Sequence, residues 1–258
     1  MLDRVGKEIL YCPVCGEPKE ILLTGEKNYL GWDRYPTRCL CERKQLEEEE
    51  RERISRKHEE MLVRNRSICF SDRTMYKWRF DCDDGTVESM VYAKNYVDHF
   101  DEMLKSHTGL LLWGDVGTGK SFMAGCIANA LIDMEYEVKM TNFATIINDL
   151  FGCEDKNEYI EALARYSLLI IDDLGAERNT EYAIENVFNV IDRRYRSGRP
   201  LIVTTNLHLD AIRKEEATDK KRIYDRILEM CVPIKVCGTS KRIGIARDKL
   251  DMLKALNE

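Results

Sequence analysis

The chain lacks any apolar stretch close to the roughly 20 residues that a transmembrane helix needs, so no membrane contact is predicted. Its first residues, MLDRVGKEIL, contain no apolar run of the length that a secretory signal requires. We therefore expect a cytoplasmic protein. Ten cysteines in 258 residues would then be reduced thiols or metal ligands rather than disulfides.

An overall positive charge is also absent, because the net charge is -6. This argues against a protein that coats nucleic acid non-specifically. The distribution is uneven: residues 191–249 hold 15 Lys/Arg and 8 Asp/Glu, and the rest of the chain holds 25 and 38. The basic C-terminal third could hold a phosphate backbone. Alternatively, its arginines serve ATP and subunit contacts, and both interpretations remain open.

Composition divides the chain into three segments. Residues 1–41 are short and rich in Cys and Gly, and residues 42–66 hold eight acidic and eight basic residues without a continuous apolar stripe. The second segment is predicted to be a solvated helical linker, with a partner-binding helix as the alternative. Residues 67–258 have a globular pattern, in which helical patterns separate apolar runs suited to buried strands. Those runs are Gly109–Trp113, Glu137–Met140, Leu168–Asp172, Pro200–Thr205 and Val232–Val236. The alternation predicts an α/β fold with a parallel sheet covered on both faces.

A phosphate-binding loop follows the first of these runs. Residues 114–121 fit G-x-x-x-x-G-K-[ST] and open a helical pattern at Phe122, the context that supports this motif. Lys120 is predicted to reach the β- and γ-phosphates of ATP, and the Ser121 hydroxyl to bind Mg²⁺. The predicted nucleotide-binding residues are Gly114, Asp115, Val116, Gly117, Thr118, Gly119, Lys120, Ser121 and Phe122.

Polar residues end the two apolar runs that follow. Asp172 is predicted to hold Mg²⁺, and Asp173 to orient and deprotonate the attacking water. Asn206 is predicted to position that water or to sense the γ-phosphate. Strand-end turns are the structural alternatives for all three.

Arginines near the C-terminus could complete the site. Arg222 is the first candidate for a residue that a neighbouring subunit supplies to stabilise transition-state charge, and Arg226 is the second. Surface salt bridges are the alternative for both. Arg242, in GTSKR, is a candidate for nucleotide contact within the same chain.

The motifs occur in the order phosphate loop, IIDDLG, TTN, RIxxRI and GxSxR. In this order of motifs the chain resembles the DnaC/DnaI helicase loaders and the related IstB transposition ATPases. The resemblance covers residues 67–250 and implies an AAA+ three-layer sandwich with a five-stranded parallel sheet. It also implies self-assembly through ATP sites, a hexameric replicative helicase as partner, and contact with single-stranded DNA. Most AAA+ ATPases carry Glu where this chain has Asp173, so hydrolysis is expected to be slow and to be stimulated by assembly or DNA. The loaders commonly share this Asp-Asp pair.

Four cysteines form two short knuckles, Cys12-x-x-Cys15 and Cys39-x-Cys41. Four thiolates suit tetrahedral Zn²⁺, and a segment this small is not expected to fold unaided. The other cysteines are expected to be small buried hydrophobic residues; they are Cys69, Cys82, Cys126, Cys153, Cys231 and Cys237. A closed Cys₄ site has no chemistry of its own, so residues 1–41 are predicted to dock a partner. The resemblance implies that the partner is the helicase.

Three functions therefore compete. The favoured one is a bacterial or phage helicase loader in which ATP acts as a switch. The second is an IstB-like transposition ATPase that binds DNA and a transposase, although typical members lack a Cys₄ appendage. The third is a zinc-ribbon adaptor that binds nucleotide without hydrolysing it.

Overall fold

The computed structural model describes residues 9–22, 34–83, 85, 87–175 and 180–238. The chain divides into two compact units, residues 1–61 and 62–258. In chain order, the elements are β1 (Glu20–Leu22), β2 (Arg34–Pro36), α1 (Leu40–Cys69), α2 (Met90–Asp98), α3 (Phe100–Lys105), β3 (Gly109–Trp113), α4 (Lys120–Asp133), β4 (Val138–Asn142), α5 (Phe143–Gly152), α6 (Lys156–Arg165), β5 (Leu168–Leu174), α7 (Glu181–Ser197), β6 (Leu201–Thr205), α8 (Leu209–Arg213), α9 (Thr218–Met230) and β7 (Cys231–Lys235). Two short 3-10 helices, Arg73–Lys77 and Phe80–Cys82, lie between α1 and α2.

The first unit is built around a small antiparallel pair. β1 pairs with β2 so that Ile21 lies opposite Tyr35. Helix α1 begins immediately after Cys39, whose backbone N–H donates to the Glu42 carboxylate at 3.2 Å. This bond satisfies one of the backbone donors that a helix start leaves without a partner. Lys19 pairs with the same carboxylate at 2.6 Å and so ties the pair of strands to the helix start.

The second unit contains a parallel sheet of five strands in the order β4-β5-β6-β3-β7. This confirms the predicted fold class. β3 lies between β6 and β7, so its C-terminal end adjoins strands that come much later in the chain. In parallel α/β sheets, ligands bind at the carboxyl ends of the strands, and here that edge carries the phosphate loop.

Two hydrophobic layers cover the faces of this sheet. Successive strand residues point to opposite faces, and Leu110 and Leu112 accordingly pack in one core while Leu111 packs in the other. The first core includes buried residues of α2 and α4, and the second includes residues of α5, α6, α7 and α9. The sheet with its two helical layers is therefore a three-layer sandwich.

Helix α7 shows how the sequence sets an element's bounds. Thr180 caps its start by accepting a bond from the Ala183 N–H at 3.2 Å. Gly198 ends it in the left-handed conformation at φ 62°, which only glycine adopts without strain. Among the described residues, no helix combines the length and the apolarity needed to cross a membrane.

The expectation of burial for the six isolated cysteines was only partly correct. Cys69, Cys126 and Cys231 are buried, but Cys82 and Cys237 are exposed and Cys153 is half-buried. Cys82 lies in a 3-10 helix and Cys237 follows the edge strand β7. Neither position faces one of the hydrophobic layers, so the prediction was wrong for these two.

Candidate nucleotide-binding site

The loop between β3 and α4 turns on three glycines with positive φ: Gly114 at 145°, Gly117 at 85° and Gly119 at 98°. A side chain at Gly114 would bring its Cβ within 2.5 Å of the Val236 carbonyl oxygen. Glycine is therefore needed at Gly114 for both its conformation and its small size. The Thr118 hydroxyl donates to the Asp115 carbonyl at 2.9 Å and closes the loop.

Lys120, the first residue of α4, is buried and lies at the centre of the site. Its Nζ donates to the carbonyl oxygens of Gly114 (2.8 Å) and Asp115 (2.7 Å) and to Asn206 Oδ1 (2.7 Å). The bond to Asn206 joins residues 86 positions apart in the chain. It brings the predicted phosphate-binding cation to the predicted sensor at the end of β6.

Asp172 lies at the carboxyl end of β5, beside the start of α4. Its Oδ1 accepts hydrogen bonds from Ser121 Oγ at 2.8 Å and from Thr204 Oγ1 at 2.5 Å. The two predicted magnesium ligands, Ser121 and Asp172, are therefore in direct contact. Carboxylate and hydroxyl oxygens are ligands that Mg²⁺ takes in such sites, so the donor set fits the ion.

Asp173 has φ 62°, which is unusual for a residue other than glycine. It coincides with a register shift between Ile171 and Leu174 in the pairing of β5 with β6. The distorted backbone is held by a bond from the Asp173 N–H to Thr204 Oγ1 at 2.9 Å. The exposed carboxylate then accepts from Asn206 Nδ2 at 2.9 Å. Strained backbone of this kind is typical of functional sites.

These residues share a cleft of about 570 Å³, a volume within the range of small-molecule sites. The predicted residues that line it are Val116, Gly117, Gly119, Lys120, Ser121, Phe122, Asp172, Asp173 and Asn206. The other three predicted residues, Gly114, Asp115 and Thr118, belong to the same loop but do not line the cleft.

Three further residues line the cleft and were not predicted: Trp78, Cys82 and Thr204. Thr204 stands in the TTN motif, where its position two residues before Asn206 was the available signal. No sequence pattern linked Trp78 or Cys82 to the phosphate loop.

Two of the candidate arginines, Arg222 and Arg226, lie outside this cleft on α9. Arg226 bonds to Asp192 at 2.6 Å, and its guanidinium lies 4.6 Å from the centroid of Phe188. The exposed Arg222 lines a separate surface pocket with Glu185 and Phe188, among others. The structure therefore does not bring Arg222 to the phosphate loop of its own chain. Arg242 lies outside the described residues.

The four predicted zinc ligands of the first unit do come together. All Sγ atoms of Cys12, Cys15, Cys39 and Cys41 lie within 4.8 Å of one another. Cys41 Sγ is 3.4 Å from Cys12, 3.1 Å from Cys39 and 3.7 Å from Cys15. Four sulfurs around one Zn²⁺ at about 2.3 Å would stand roughly 3.8 Å apart, so the cluster has the right size. Hydrogen bonds from backbone groups lower the pKa of the Cys15 thiol to about 6, whereas side-chain hydrogen bonds with Cys39 and Cys12 raise the pKa of the Cys41 thiol to about 12. The metal-binding interpretation therefore rests on the geometry of the four sulfurs, since a bound metal itself lowers the pKa of its thiol ligands.

The fold and the cleft are those of a P-loop nucleotide-binding protein. The chain belongs to the family of IstB-like ATP binding proteins, whose model matches residues 42–248, well over half of the chain.

Two relatives are replicative helicase loaders. The chain is 27% identical over 163 residues to DnaI of Bacillus subtilis (strain 168) and 28% identical over 154 residues to DnaC of Escherichia coli (strain K12). These matches cover 56% and 57% of this chain, and 52% and 61% of the relatives. The chain thus spans about half to three fifths of the length of the relatives it matches.

The crystal structure of DnaI shares the fold. The TM-score is 0.57 at 21% identity, over 69% of this chain and 98% of that one. The predicted resemblance to the loader and IstB family is confirmed.

Proposed function

We propose that this protein is an ATP-dependent helicase loader for DNA replication, of bacterial or phage origin. The observation that carries the proposal is the convergence of Lys120, Ser121, Asp172, Asp173 and Asn206 on one cleft. Those residues are the parts that a P-loop ATPase needs, and two relatives of the chain carry the name of helicase loader.

The roles follow from the contacts. Lys120 and the loop N–H groups bind the β- and γ-phosphates, since a helix N-terminus favours negative charge. Ser121 and Asp172 would hold Mg²⁺, which when bound neutralises charge on the phosphates. Asp173 accepts the proton of the attacking water, and Asn206, already bonded to both Lys120 and Asp173, orients that water. Because Asp is one methylene shorter than Glu, we expect slow turnover.

Arg222 would complete the site of a neighbouring copy. It is exposed, with its guanidinium 5.8 Å from the centroid of Phe188. Arg226 is held more firmly, by Asp192 and by the rings of Phe188 and Tyr195. A neighbour's cation at the γ-phosphate makes hydrolysis depend on assembly. ATP binding would then favour the assembled state, and hydrolysis would release it.

Side chains of α5, α6 and α7 form a surface suited to contact with single-stranded DNA. Phe151 is 81% exposed, and its ring meets that of Tyr182 edge-on at 6.1 Å. Lys156 Nζ lies 5.0 Å from the centroid of Tyr182. An exposed aromatic ring beside a cation suits base stacking next to a phosphate backbone.

The first experiment measures ATP hydrolysis with and without single-stranded DNA. We expect slow turnover that DNA or high protein concentration stimulates. Lys120→Ala should abolish ATP binding and leave zinc bound. Arg222→Ala should bind ATP but lose stimulation by assembly, with the exposed neighbour Lys221→Ala as the matched control. Unchanged stimulation in Arg222→Ala would reject it as the trans-acting residue, and absence of turnover under all conditions would favour the non-hydrolysing adaptor.

The second experiment identifies the partner. The full chain serves as bait in extract of the native host, with a Cys12→Ser/Cys15→Ser variant as the control for the zinc module. Recovery of a replicative helicase by the wild type alone supports the loader and the docking role of residues 1–41. Recovery of a transposase without a helicase would overturn the loader in favour of the IstB-like transposition ATPase, a role that the family match also allows.

A further inference from the structure

The turn that follows β6 carries one of the proposed catalytic side chains. Asn206 is the first residue after the strand; its Oδ1 accepts from Lys120 Nζ at 2.7 Å, and its Nδ2 donates to the Asp173 carboxylate at 2.9 Å. A displacement of about 1 Å at such a site can lower a reaction rate by about a hundredfold. The position of this turn therefore decides whether Asn206 can orient an attacking water.

His208, two residues later, packs against the strand that leads into the phosphate loop. Its ring centroid lies 4.9 Å from that of Trp113, and the two ring planes stand at 76° to each other. This is the edge-to-face arrangement that aromatic rings favour, at a separation within their usual range. Trp113 is the last residue of β3 and directly precedes Gly114, whose carbonyl oxygen accepts from Lys120. One ring contact thus joins the turn of Asn206 to the strand of the phosphate loop.

The indole of Trp113 has a second neighbour, which limits its movement. Trp113 lies opposite Thr205 in the pairing of β3 with β6 and opposite Lys235 in the pairing of β3 with β7. Lys235 Nζ lies 5.4 Å from the centroid of the indole, which is within the range of a cation–π contact. Because β6 and β7 flank β3, the indole is contacted from both neighbouring strand ends. Trp113 therefore offers His208 a fixed surface.

The imidazole of His208 also caps the short helix α8. Its Nδ1 accepts a hydrogen bond from the Asp210 N–H at 3.3 Å. Ser, Thr, Asp and Asn are the residues preferred at such a position, and each of them could supply an acceptor without a ring. The side chain is 63% exposed, so burial in a core does not account for the ring either. The contact with Trp113 is what the ring adds to the cap.

We infer that His208 is a positioning residue for Asn206 and that it acts through its ring contact with Trp113. The inference rests on the proposed function, because it requires Asn206 to act on the attacking water. The ring holds the turn after β6 at a set place relative to the phosphate loop, so that the Asn206 amide reaches Lys120 and Asp173 together. His208 is not among the residues that line the cleft, so its effect is on the position of Asn206 rather than on the substrate.

Two substitutions separate the ring of His208 from its cap. His208→Asn keeps a capping acceptor and removes the ring, whereas His208→Phe keeps a ring and removes the cap. The single-turnover hydrolysis rate at saturating Mg²⁺-ATP should fall about three- to tenfold in His208→Asn, the size of one aromatic pair, and stay close to wild type in His208→Phe. The dissociation constant for ATP should change little in either variant, because the phosphate loop is unaltered. His99→Asn, the same change at another exposed helix start outside the cleft lining, should change neither quantity.

Double-mutant cycles test the route of the effect. In an Asn206→Ala background, His208→Asn should lower the rate no further, since the side chain that it positions is gone. Trp113→Leu should give a loss like that of His208→Asn, and the two changes together no more than either alone. Asn206 and His208 are both exposed, so the first cycle decides the outcome even if Trp113→Leu does not fold.

Additive losses in the first cycle would overturn the inference, as would a rate that falls in His208→Phe and not in His208→Asn. A wild-type chain that hydrolyses ATP at a rate unchanged by His208→Asn refutes the role of His208 alone. A wild-type chain that binds no ATP, or binds it without hydrolysis, refutes the proposed ATPase and the role of His208 with it.

Discussion

The buried guanidinium of Arg194 allows a quantitative prediction. The side chain is 0% exposed, and it donates to carbonyl oxygens of Pro200 (3.1 Å), Ala164 (3.0 Å), Tyr166 (2.8 Å) and Ser167 (3.3 Å). Burial lowers the pKa of Arg194 to about 9, so the group remains a cation at neutral pH. One charged fork thus joins the end of α6, the start of β5 and the turn between α7 and β6.

Replacing Arg194 by Met keeps much of the volume but removes every donor. Two of its acceptors, the carbonyls of Ala164 and Pro200, belong to buried residues. Leaving a buried acceptor without a partner costs ~1–3 kcal/mol, so the free energy of unfolding should fall by ~2–6 kcal/mol. For a chain of this size, the melting temperature should then fall by about 4 °C or more.

Thermal and urea unfolding followed by circular dichroism measure this effect. Arg196→Met is the matched control, because Arg196 lies on the same helix with its side chain 68% exposed and pairs with Asp192. The control should stay within ~0.5 kcal/mol of wild type. Arg194→Lys should lie in between, since an ammonium cannot reproduce the planar fork. An Arg194→Met protein as stable as the control would show that these carbonyl contacts contribute nothing.

Three further predictions concern the sites. Thr204→Val removes the hydroxyl that donates to the Asp172 carboxylate and accepts from the Asp173 backbone N–H at the end of β5; ATP turnover should fall by about ten- to a hundredfold while ATP binding changes little. Thr205→Val, which loses a different strand hydroxyl, is the control, and equal turnover in the two variants would contradict the role. Metal analysis should find one zinc per chain in the wild type and less in Cys12→Ser; full zinc content in that variant would exclude the Cys₄ site. Phe151→Ala should weaken single-stranded DNA binding about fivefold or more, measured by fluorescence anisotropy against Tyr92→Ala, and equal affinities would place the DNA contact elsewhere.

Local patterns were sufficient for the elements and for the phosphate loop. The five predicted strands are present because continuous apolar runs are what a sheet covered on both faces requires. The end of α7 at Gly198 was predictable because helices often end at a residue in the left-handed conformation, and glycine adopts that conformation most easily. The prediction that isolated cysteines are buried failed at Cys82 and Cys237, since burial depends on packing rather than on residue type.

Contacts between segments that are far apart in the chain could not be predicted from local patterns. The parallel class of the sheet follows from alternating strands and helices, but its order does not. That order brings Asn206 to Lys120 across 86 positions. Likewise, Trp78 reaches the cleft because the buried Asn129 on α4 donates to its carbonyl oxygen and Gly125, one turn earlier, leaves room for its indole. Neither residue forms a recognisable motif.

The sequence by itself predicted a phosphate-binding loop at residues 114–121, since that motif needs only a strand, a turn of glycines and a helix start. It also predicted that the two cysteine knuckles, Cys12-x-x-Cys15 and Cys39-x-Cys41, come together, as the structure shows. Only the tertiary structure decided that Thr204 bonds to both the Asp172 carboxylate and the Asp173 backbone N–H, that Asp173 stands on a distorted backbone facing Asn206, and that Trp78 shares the cleft. These contacts arise from strand order and side-chain packing, which depend on the whole fold and leave no periodic signal in the sequence.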